Sequence, residues 1–388
     1  MIMGEWKEYK MGEVAEIVTG YPFPSEKYEA TGKLRVVRGE NVTIGKLRWD
    51  VEKHWNLDIA GLENYLLRPD DIVIGMDGSR VGSNRALIRE TDLPLILAQR
   101  VACLRAKNGF DSKYIWYTIF SDTFRKYVEA INTGTSIPHI SQKQIAEFEI
   151  MCPSEAEQKR IAGVLSSLDD KIDLLHRENA TLEALAETLF RHYFIENPNP
   201  DWKEGKLGDV CHYVTDKMEA SSLTTISYIS TENMLNDKQG VTEASSIPND
   251  IRVTRYGDGD ILLSNIRPYF KKIWLADRRG GCSNDVLCIR ANEKEFDCFV
   301  YYTLRQDDFF DYVMLGSKGC KMPRGDKQHI MNWPICLPNV ESLGVFNKPV
   351  YLMIQKIKSN QQQIQTLTTK RDTLLPRLMS GEVNVVAH

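Results

Sequence analysis

From Ile161 onward, apolar residues recur at alternating steps of four and three: Ile161, Leu165, Leu168, Ile172, Leu175, Asn179, Leu182, Ala186, Leu189 and Tyr193. A heptad seam held over more than four repeats predicts a coiled-coil helix and not a helix lying on a surface. One seam position is Asn179, the kind of buried polar residue that sets register at some cost in stability. Ser154 followed three residues later by Glu157 is a capping-box pattern, so the helix is expected to start there and run to about Phe194. A shift of 185 residues gives a second seam: Phe346, Val350, Met353, Ile357, Asn360, Ile364, Leu367, Arg371, Leu374 and Leu378. Pro349 falls near the expected start of that helix, where proline is tolerated, and Pro376 is expected to kink or fray its end. Gly381 is a suitable stop.

Charge says how these helices pair. Residues 154–194 carry eight acidic against five basic side chains, whereas residues 345–379 carry six basic against one acidic. Opposite signs favour an intramolecular pair over self-association, and duplication followed by a two-fold arrangement makes that pair antiparallel. At about 1.5 Å per residue, a helix of about 40 residues spans roughly 60 Å.

The segments ahead of the two helices also repeat. Trp6-Lys7-Glu8-Tyr9-Lys10-Met11-Gly12 returns as Trp202-Lys203-Glu204-Gly205-Lys206-Leu207-Gly208. Cys103-Leu104-Arg105-Ala106 returns as Cys288-Ile289-Arg290-Ala291, and Tyr114-Ile115-Trp116-Tyr117-Thr118 as Phe299-Val300-Tyr301-Tyr302-Thr303. The segment from Ile145 to Pro153 matches Ile330 to Pro338. A period this long exceeds the roughly 20–50 residues of a solenoid unit and marks a duplicated domain.

Each head mixes short strand-like runs with helix. Leu34-Arg35-Val36-Val37, Asp71-Ile72-Val73-Ile74, Val101-Ala102-Cys103-Leu104, Ile261-Leu262-Leu263 and Val286-Leu287-Cys288-Ile289 read as strands. Ser112–Glu129 and Asp297–Val313 read as single helices whose aromatic faces fill the core. Polar loops between them concentrate cations and amides. In the first head the candidates are Arg35, Arg38, Asn41, Ser79, Arg80, Asn84 and Thr135; in the second they are Asn265, Arg267, Tyr269, Lys271, Lys318, Lys321 and Arg324. Arg pairs with guanine O6/N7 and Asn with adenine N6/N7, while Lys, Ser, Thr and loop amides suit phosphates. Any one of them is at least as well explained as a solvated loop residue. The collective pattern weighs more, because both heads place such loops at corresponding points with different wording.

Composition narrows the class. With 42% hydrophobic and 26% charged residues, the 388-residue chain is typical of a soluble globular protein with two or three cores. No run approaches the roughly 20 apolar residues of a membrane span, and the N-terminal residues lack a signal-peptide pattern, so a cytoplasmic protein is expected. Eight cysteines show no Cys-x-x-Cys pair, which argues against structural zinc and for reduced thiols. A formal charge of −4 means that nucleic-acid binding must use local basic patches or share phosphate contacts with partners. No P-loop, dinucleotide turn, H-E-x-x-H or Ser/His/Asp grouping is present. Pro200-Asp201 with Glu204-Gly205-Lys206 is too compressed for a nuclease centre, and its repeat partner lacks the Pro-Asp.

Two divergent heads, each followed by a long heptad helix, resemble the specificity (S) subunit of type I restriction–modification systems. The resemblance rests on the Trp6–Gly12 and Trp202–Gly208 openings, Gly20-Tyr21-Pro22-Phe23, Gln99-Arg100-Val101-Ala102, and Asp260-Ile261-Leu262-Leu263-Ser264 leading to Ile266-Arg267-Pro268-Tyr269. The helix start Glu155-x-Glu157-Gln158-x-Arg160-Ile161 and the ending Leu374-Leu375-Pro376-Arg377-Leu378-Met379-Ser380-Gly381-Glu382 are similar too. It implies an α+β architecture: two similar mixed β/α target-recognition domains, 1–152 and 196–338, joined by two long antiparallel coiled-coil helices, 153–195 and 339–381, with pseudo-two-fold symmetry. It further implies a non-catalytic reader of double-stranded DNA, with no cofactor or metal of its own. S-adenosylmethionine and ATP would belong to partners, the modification (methyltransferase) subunits and a restriction subunit. The competing reading is a coiled-coil protein-interaction scaffold with two peptide-binding heads, which accounts less well for the Arg, Asn and Lys loops.

Overall fold

The computed structural model describes residues 6–132, 138–249, 252–319 and 321–385. The chain divides into two compact units, Met1–Asp173 with Ile364–His388, and Leu174–Gln363. Each unit therefore holds one head, part of the first long helix and part of the second.

In the first unit the repeat opening forms the strand Lys7–Lys10, which pairs antiparallel with Glu149–Cys152 at the other end of the head. The second unit does the same with Lys203–Lys206 and Pro334–Leu337. Opening and closing words of each repeat thus meet and close the head. Between them lies an antiparallel four-stranded sheet in the order Ala15–Thr19, Val101–Ala106, Ile72–Gly75, Arg85–Leu87. Its counterpart runs Cys211–Tyr213, Val286–Ala291, Ile261–Ser264, Ile273–Leu275. A second sheet in each unit includes one parallel pair: Leu34–Val37 beside Leu95–Leu97, and Tyr228–Ile229 beside Gly280–Cys282. The order of strands repeats in the antiparallel sheets, whereas the second sheet has three strands in the first unit and four in the second.

One ion pair recurs in the same place. Arg105 grips Asp71 through two bonds of 2.9 and 2.7 Å, and Arg290 grips Asp260 at 2.6 and 2.7 Å. Both aspartates are 2% exposed, so the bidentate partner is what makes their burial tolerable. Six cysteines, including Cys103 and Cys288 beside these pairs, are buried as free thiols. Burial pushes the Cys152, Cys211, Cys282 and Cys298 thiols up to about 12, which keeps them unreactive.

The aromatic stretches are core, as expected, but each breaks in two. Ser112–Phe120 gives way to Asp122–Ile131 at Ser121, whose extended backbone cannot continue a helix and whose hydroxyl bonds the Thr118 carbonyl. Asp297–Leu304 and Asp307–Leu315 are likewise separated at Arg305-Gln306. The turns let Tyr114, Tyr117 and Phe124 in one unit, and Tyr302, Phe309 and Phe310 in the other, reach one core from two directions.

The long helices are Glu155–Phe190, followed by a π-helical turn Arg191–Glu196, and Val340–Met379. Every predicted seam position is buried or half-buried. In the second unit Asn179 meets Asn360 while Phe190 lies against Phe346, so the two helices run antiparallel there. Opposite charges meet within each unit, Asp169 with Arg371 at 2.8 Å and Glu178 with Lys356 at 3.4 Å. The first helix starts where expected, and the start of the second needs correction. Ser154 opens the first helix through its carbonyl, which accepts from the N–H groups of Glu157 and Gln158, and buried Gln158 ties the start to Pro153 and Asp111. The second helix begins at Val340, where Asn339 accepts from the Ser342 N–H, so Pro349 is an interior residue. The carbonyl it leaves unbonded belongs to Val345, which is 52% exposed and can be hydrated. The helix runs past Pro376 to Met379, and Gly381, at φ 73°, follows its end.

Candidate nucleic-acid interface

In the second head, all seven sequence candidates fall on two adjoining loops. Asn265, Arg267, Tyr269 and Lys271 belong to the first; Lys318, Lys321 and Arg324 to the second. Main chain locks the loops together. Arg267 N–H donates to the Pro323 carbonyl at 2.8 Å, Gly325 N–H to the Asn265 carbonyl at 3.1 Å, and Lys318 and Arg324 exchange a pair of bonds at 3.0 Å. Arg267 and Lys271 flank the short helix Pro268–Phe270, both at φ 49°. Left-handed backbone at two non-glycine residues costs about 1–3 kcal/mol each and persists only where the surroundings impose it. Tyr269, 47% exposed, is carried outward on this turn, its ring 4.6 Å from Phe270.

The cations differ in what holds them. Lys271 shares Asp307 with Lys238, each at 2.9 Å, and these bonds hold the Asp307 carboxyl below the usual range. Lys318, 83% exposed, reaches Asp326 at 2.9 Å, and with the His329 N–H it draws that carboxyl down to about 2. Arg324 pairs loosely with Asp285 at 3.1 Å. Lys321 is exposed at the tip. Surface pairs of this sort are worth about 0–1 kcal/mol and exchange readily for a phosphate. The Asn265 Oδ1 and Arg267 Nε atoms are enclosed without a hydrogen-bond partner among the described residues.

The first head is organised differently. Ser79, Arg80 and Asn84 lie on the loop between Ile72–Gly75 and Arg85–Leu87, with Ser79 and Arg80 exposed. That loop is tied to the segment after Thr135, which itself lies outside the described residues: Gly78 N–H donates to the Pro138 carbonyl at 3.1 Å. Here the structure adds a cluster absent from the candidates, with Asp77 bonded to Arg100 at 2.9 Å and to His139. Arg100 stands in the Gln99-Arg100 pair, the one available signal.

Arg35, Arg38 and Asn41 are held by other partners, although Gly39 between them lies close to Arg100. Arg35 is a strand residue that donates to the Asp92 carbonyl and stacks 4.4 Å over Trp49. Arg38 pairs with Glu40 and lies over Tyr28. Asn41 is corrected outright: at 2% exposure its amide bonds the Arg48 and Val51 carbonyls and its oxygen accepts from the Arg38 N–H, leaving nothing for a base. Asn233 does the same in the second head, bonding the Tyr228 and Thr242 carbonyls and the Ser230 N–H. This repeated Glu-Asn corner, Glu40-Asn41 and Glu232-Asn233, is a structural signature hidden in the sequence by its different neighbours.

The molecule thus carries two α+β heads of similar topology with divergent exposed loops, and two long helices that share a seam marked by Asn179 and Asn360. Residues 3–184 match the family model described as the type I restriction modification DNA specificity domain. The first head and most of the first long helix are thus similar to the specificity domains of type I restriction–modification systems. The chain is 28% identical to the type I restriction enzyme MjaIX specificity subunit of Methanocaldococcus jannaschii, over 75% of this chain and 74% of that one. Against the EcoAI specificity subunit of Escherichia coli it is 31% identical over 47% of this chain and 31% of the relative. The crystal structure of a type I restriction–modification S subunit from M. genitalium shares the fold, with a TM-score of 0.61 at 16% identity over 97% and 96% of the two chains.

Proposed function

We propose that this chain is the DNA reader of a type I restriction–modification complex. Each head reads one half of a bipartite, asymmetric duplex site, and the two long helices set the number of base pairs between the halves. It contributes no catalysis; methyl transfer from S-adenosylmethionine belongs to modification subunits, and ATP-driven cleavage to a restriction subunit. The complex works in the cytoplasm, and among the described residues no helix is long and apolar enough to cross a membrane.

The observation that carries this reading is the second head's paired loops. Basic, amide and aromatic groups suited to phosphates and base edges stand on backbone that is hydrogen-bonded into one conformation. The net charge of −4 fits a subunit whose phosphate grip is shared with partners. Methylome sequencing of a strain with and without this gene tests it. A two-part motif of fixed gap, methylated only when the gene is present, is the expected result; an unchanged methylome would overturn the assignment.

A further inference from the structure

In each head the same three backbone bonds knit three loops into one frame. In the first, Met76 N–H donates to the Arg100 carbonyl at 2.9 Å, Gly78 N–H to the Pro138 carbonyl at 3.1 Å, and Ile140 N–H to the Met76 carbonyl at 2.9 Å. In the second, Asn265 N–H donates to the Asp285 carbonyl at 2.8 Å, Arg267 N–H to Pro323 at 2.8 Å, and Gly325 N–H to Asn265 at 3.1 Å. Asp77 is thereby bridged to His139, as Ile266 is to Arg324. On this frame Asp77, Arg100 and His139 are the counterparts of Ile266, Asp285 and Arg324. The backbone is kept at these positions and the side-chain chemistry is not.

In the first head one carboxylate organises the three. Asp77 accepts from Arg100 Nη1 at 2.9 Å through one oxygen and meets His139 Nδ1 through the other. The backbone of each partner is fixed as well. Arg100 sits at φ 71°, a left-handed conformation that an arginine keeps only where its surroundings impose it. His139 N–H donates to the Asn132 side chain at 2.7 Å. The Arg100 side chain is still 66% exposed, and its Nε and Nη2 have no partner among the described residues. In the second head the carboxylate stands instead at the counterpart of Arg100. There Asp285 holds Arg324 at 3.1 Å, and Ile266 carries no charge.

We infer that Arg100 reads a guanine in the first half-site, with Asp77 and His139 as its positioning residues; this rests on the proposed DNA-reading function. The Nε and Nη2 edge of a guanidinium is a rigid fork that matches guanine O6 and N7. The paired carboxylate argues against a phosphate contact. It offsets the arginine's charge, and with it the attraction to an anion, while keeping the direction of the free N–H groups. A side chain already tied down also loses less freedom on meeting a base. Different residues on the same frame in the second head are what reading a different half-site requires.

The test is binding by the assembled complex to duplexes that carry the motif found by methylome sequencing and to each single-base variant of it. Arg100→Lys keeps the charge and loses the fork. It should cut discrimination at one guanine of the first half-site by at least about fivefold. Its salt dependence and its preferences in the second half-site should stay those of wild type. Asp77→Asn leaves the guanidinium unheld and should weaken discrimination at that same guanine. Where Asp77→Asn lowers the melting temperature, His139→Gln removes the other hold and is read in the same way. Unchanged discrimination at every base in Arg100→Lys, or an equal loss on all duplexes in either variant, overturns the inference and leaves the DNA-reading assignment standing. A wild-type complex that binds every duplex alike overturns both.

Discussion

Asn360 donates its side-chain amide to the side-chain carbonyl of Asn179 at 2.8 Å, with Asn360 fully buried and Asn179 only 9% exposed. A second bond runs from the same amide to Glu178 at 3.0 Å. Two seam positions read from separate copies of the repeat therefore face one another, and only one helix register lets them do so. Replacing Asn360 by Leu strands the Asn179 carbonyl in an apolar seam and should cost about 1–3 kcal/mol. The double variant Asn179→Leu with Asn360→Leu should regain wild-type stability or exceed it. Urea unfolding of the three proteins decides; a double variant as weak as the single one would show that the pair does not act as a unit.

The two Asp–Arg grips allow a sharper comparison. The Arg105 side chain is 17% exposed and that of Arg290 44%. Asp71→Ala leaves a guanidinium poorly hydrated, while Asp260→Ala leaves one that water can reach. The first should approach the roughly 3–5 kcal/mol expected for a broken buried pair, and the second should cost less. Thermal melts of both variants measure the order.

Asp297 opens the helix Asp297–Leu304, and burial pushes its carboxyl up to about 6, against a smaller opposing effect of Lys294. A carboxyl that holds its proton more tightly when folded favours the native state below the unfolded value near 3.8. That contribution is lost as pH rises through about 6. Asp297→Asn should therefore melt higher than wild type at pH 7.5, with the advantage shrinking to nothing by about pH 4. A constant difference across that window would mean that the carboxyl is not protonated as described.

Base reading and phosphate holding separate by mutation. Arg267→Ala should cost about 1–3 kcal/mol at one base position and relax one half of the methylated motif. Lys321→Ala should weaken binding to all sequences alike and lower the slope of affinity against salt by about one unit. Binding of the assembled complex to a panel of single-base variants at three salt concentrations distinguishes the two patterns.

Legibility in the sequence followed the range of the interactions. The seams were readable because heptad spacing is a local consequence of helix geometry, and every seam residue proved buried or half-buried. The repeat was readable because Trp6–Gly12 and Trp202–Gly208 are contiguous words. Breaks at Ser121 and Gln306 were not, since each stretch has helical composition throughout and the turn is imposed by packing two aromatic faces into one core. Asn41 was misread for a related reason: a polar residue beside Gly39 looks like a surface turn until the carbonyls of Arg48 and Val51 close over it.

By itself the sequence settled the duplication, the two long helices and their complementary charge, all of which depend on residue spacing along the chain. Tertiary structure alone decided which cations share a surface. The loop of Lys318 and Arg324 is joined to that of Arg267 through bonds between residues 56 and 60 positions apart, and Arg35 is drawn off by Trp49. It also decided that the edge strand Arg85–Leu87 is bonded along its outer side by residues 43–45 of its own chain. A hydrogen bond from Gly45 to Arg85 depends on where two loops come to rest, and that is set by the whole core beneath them.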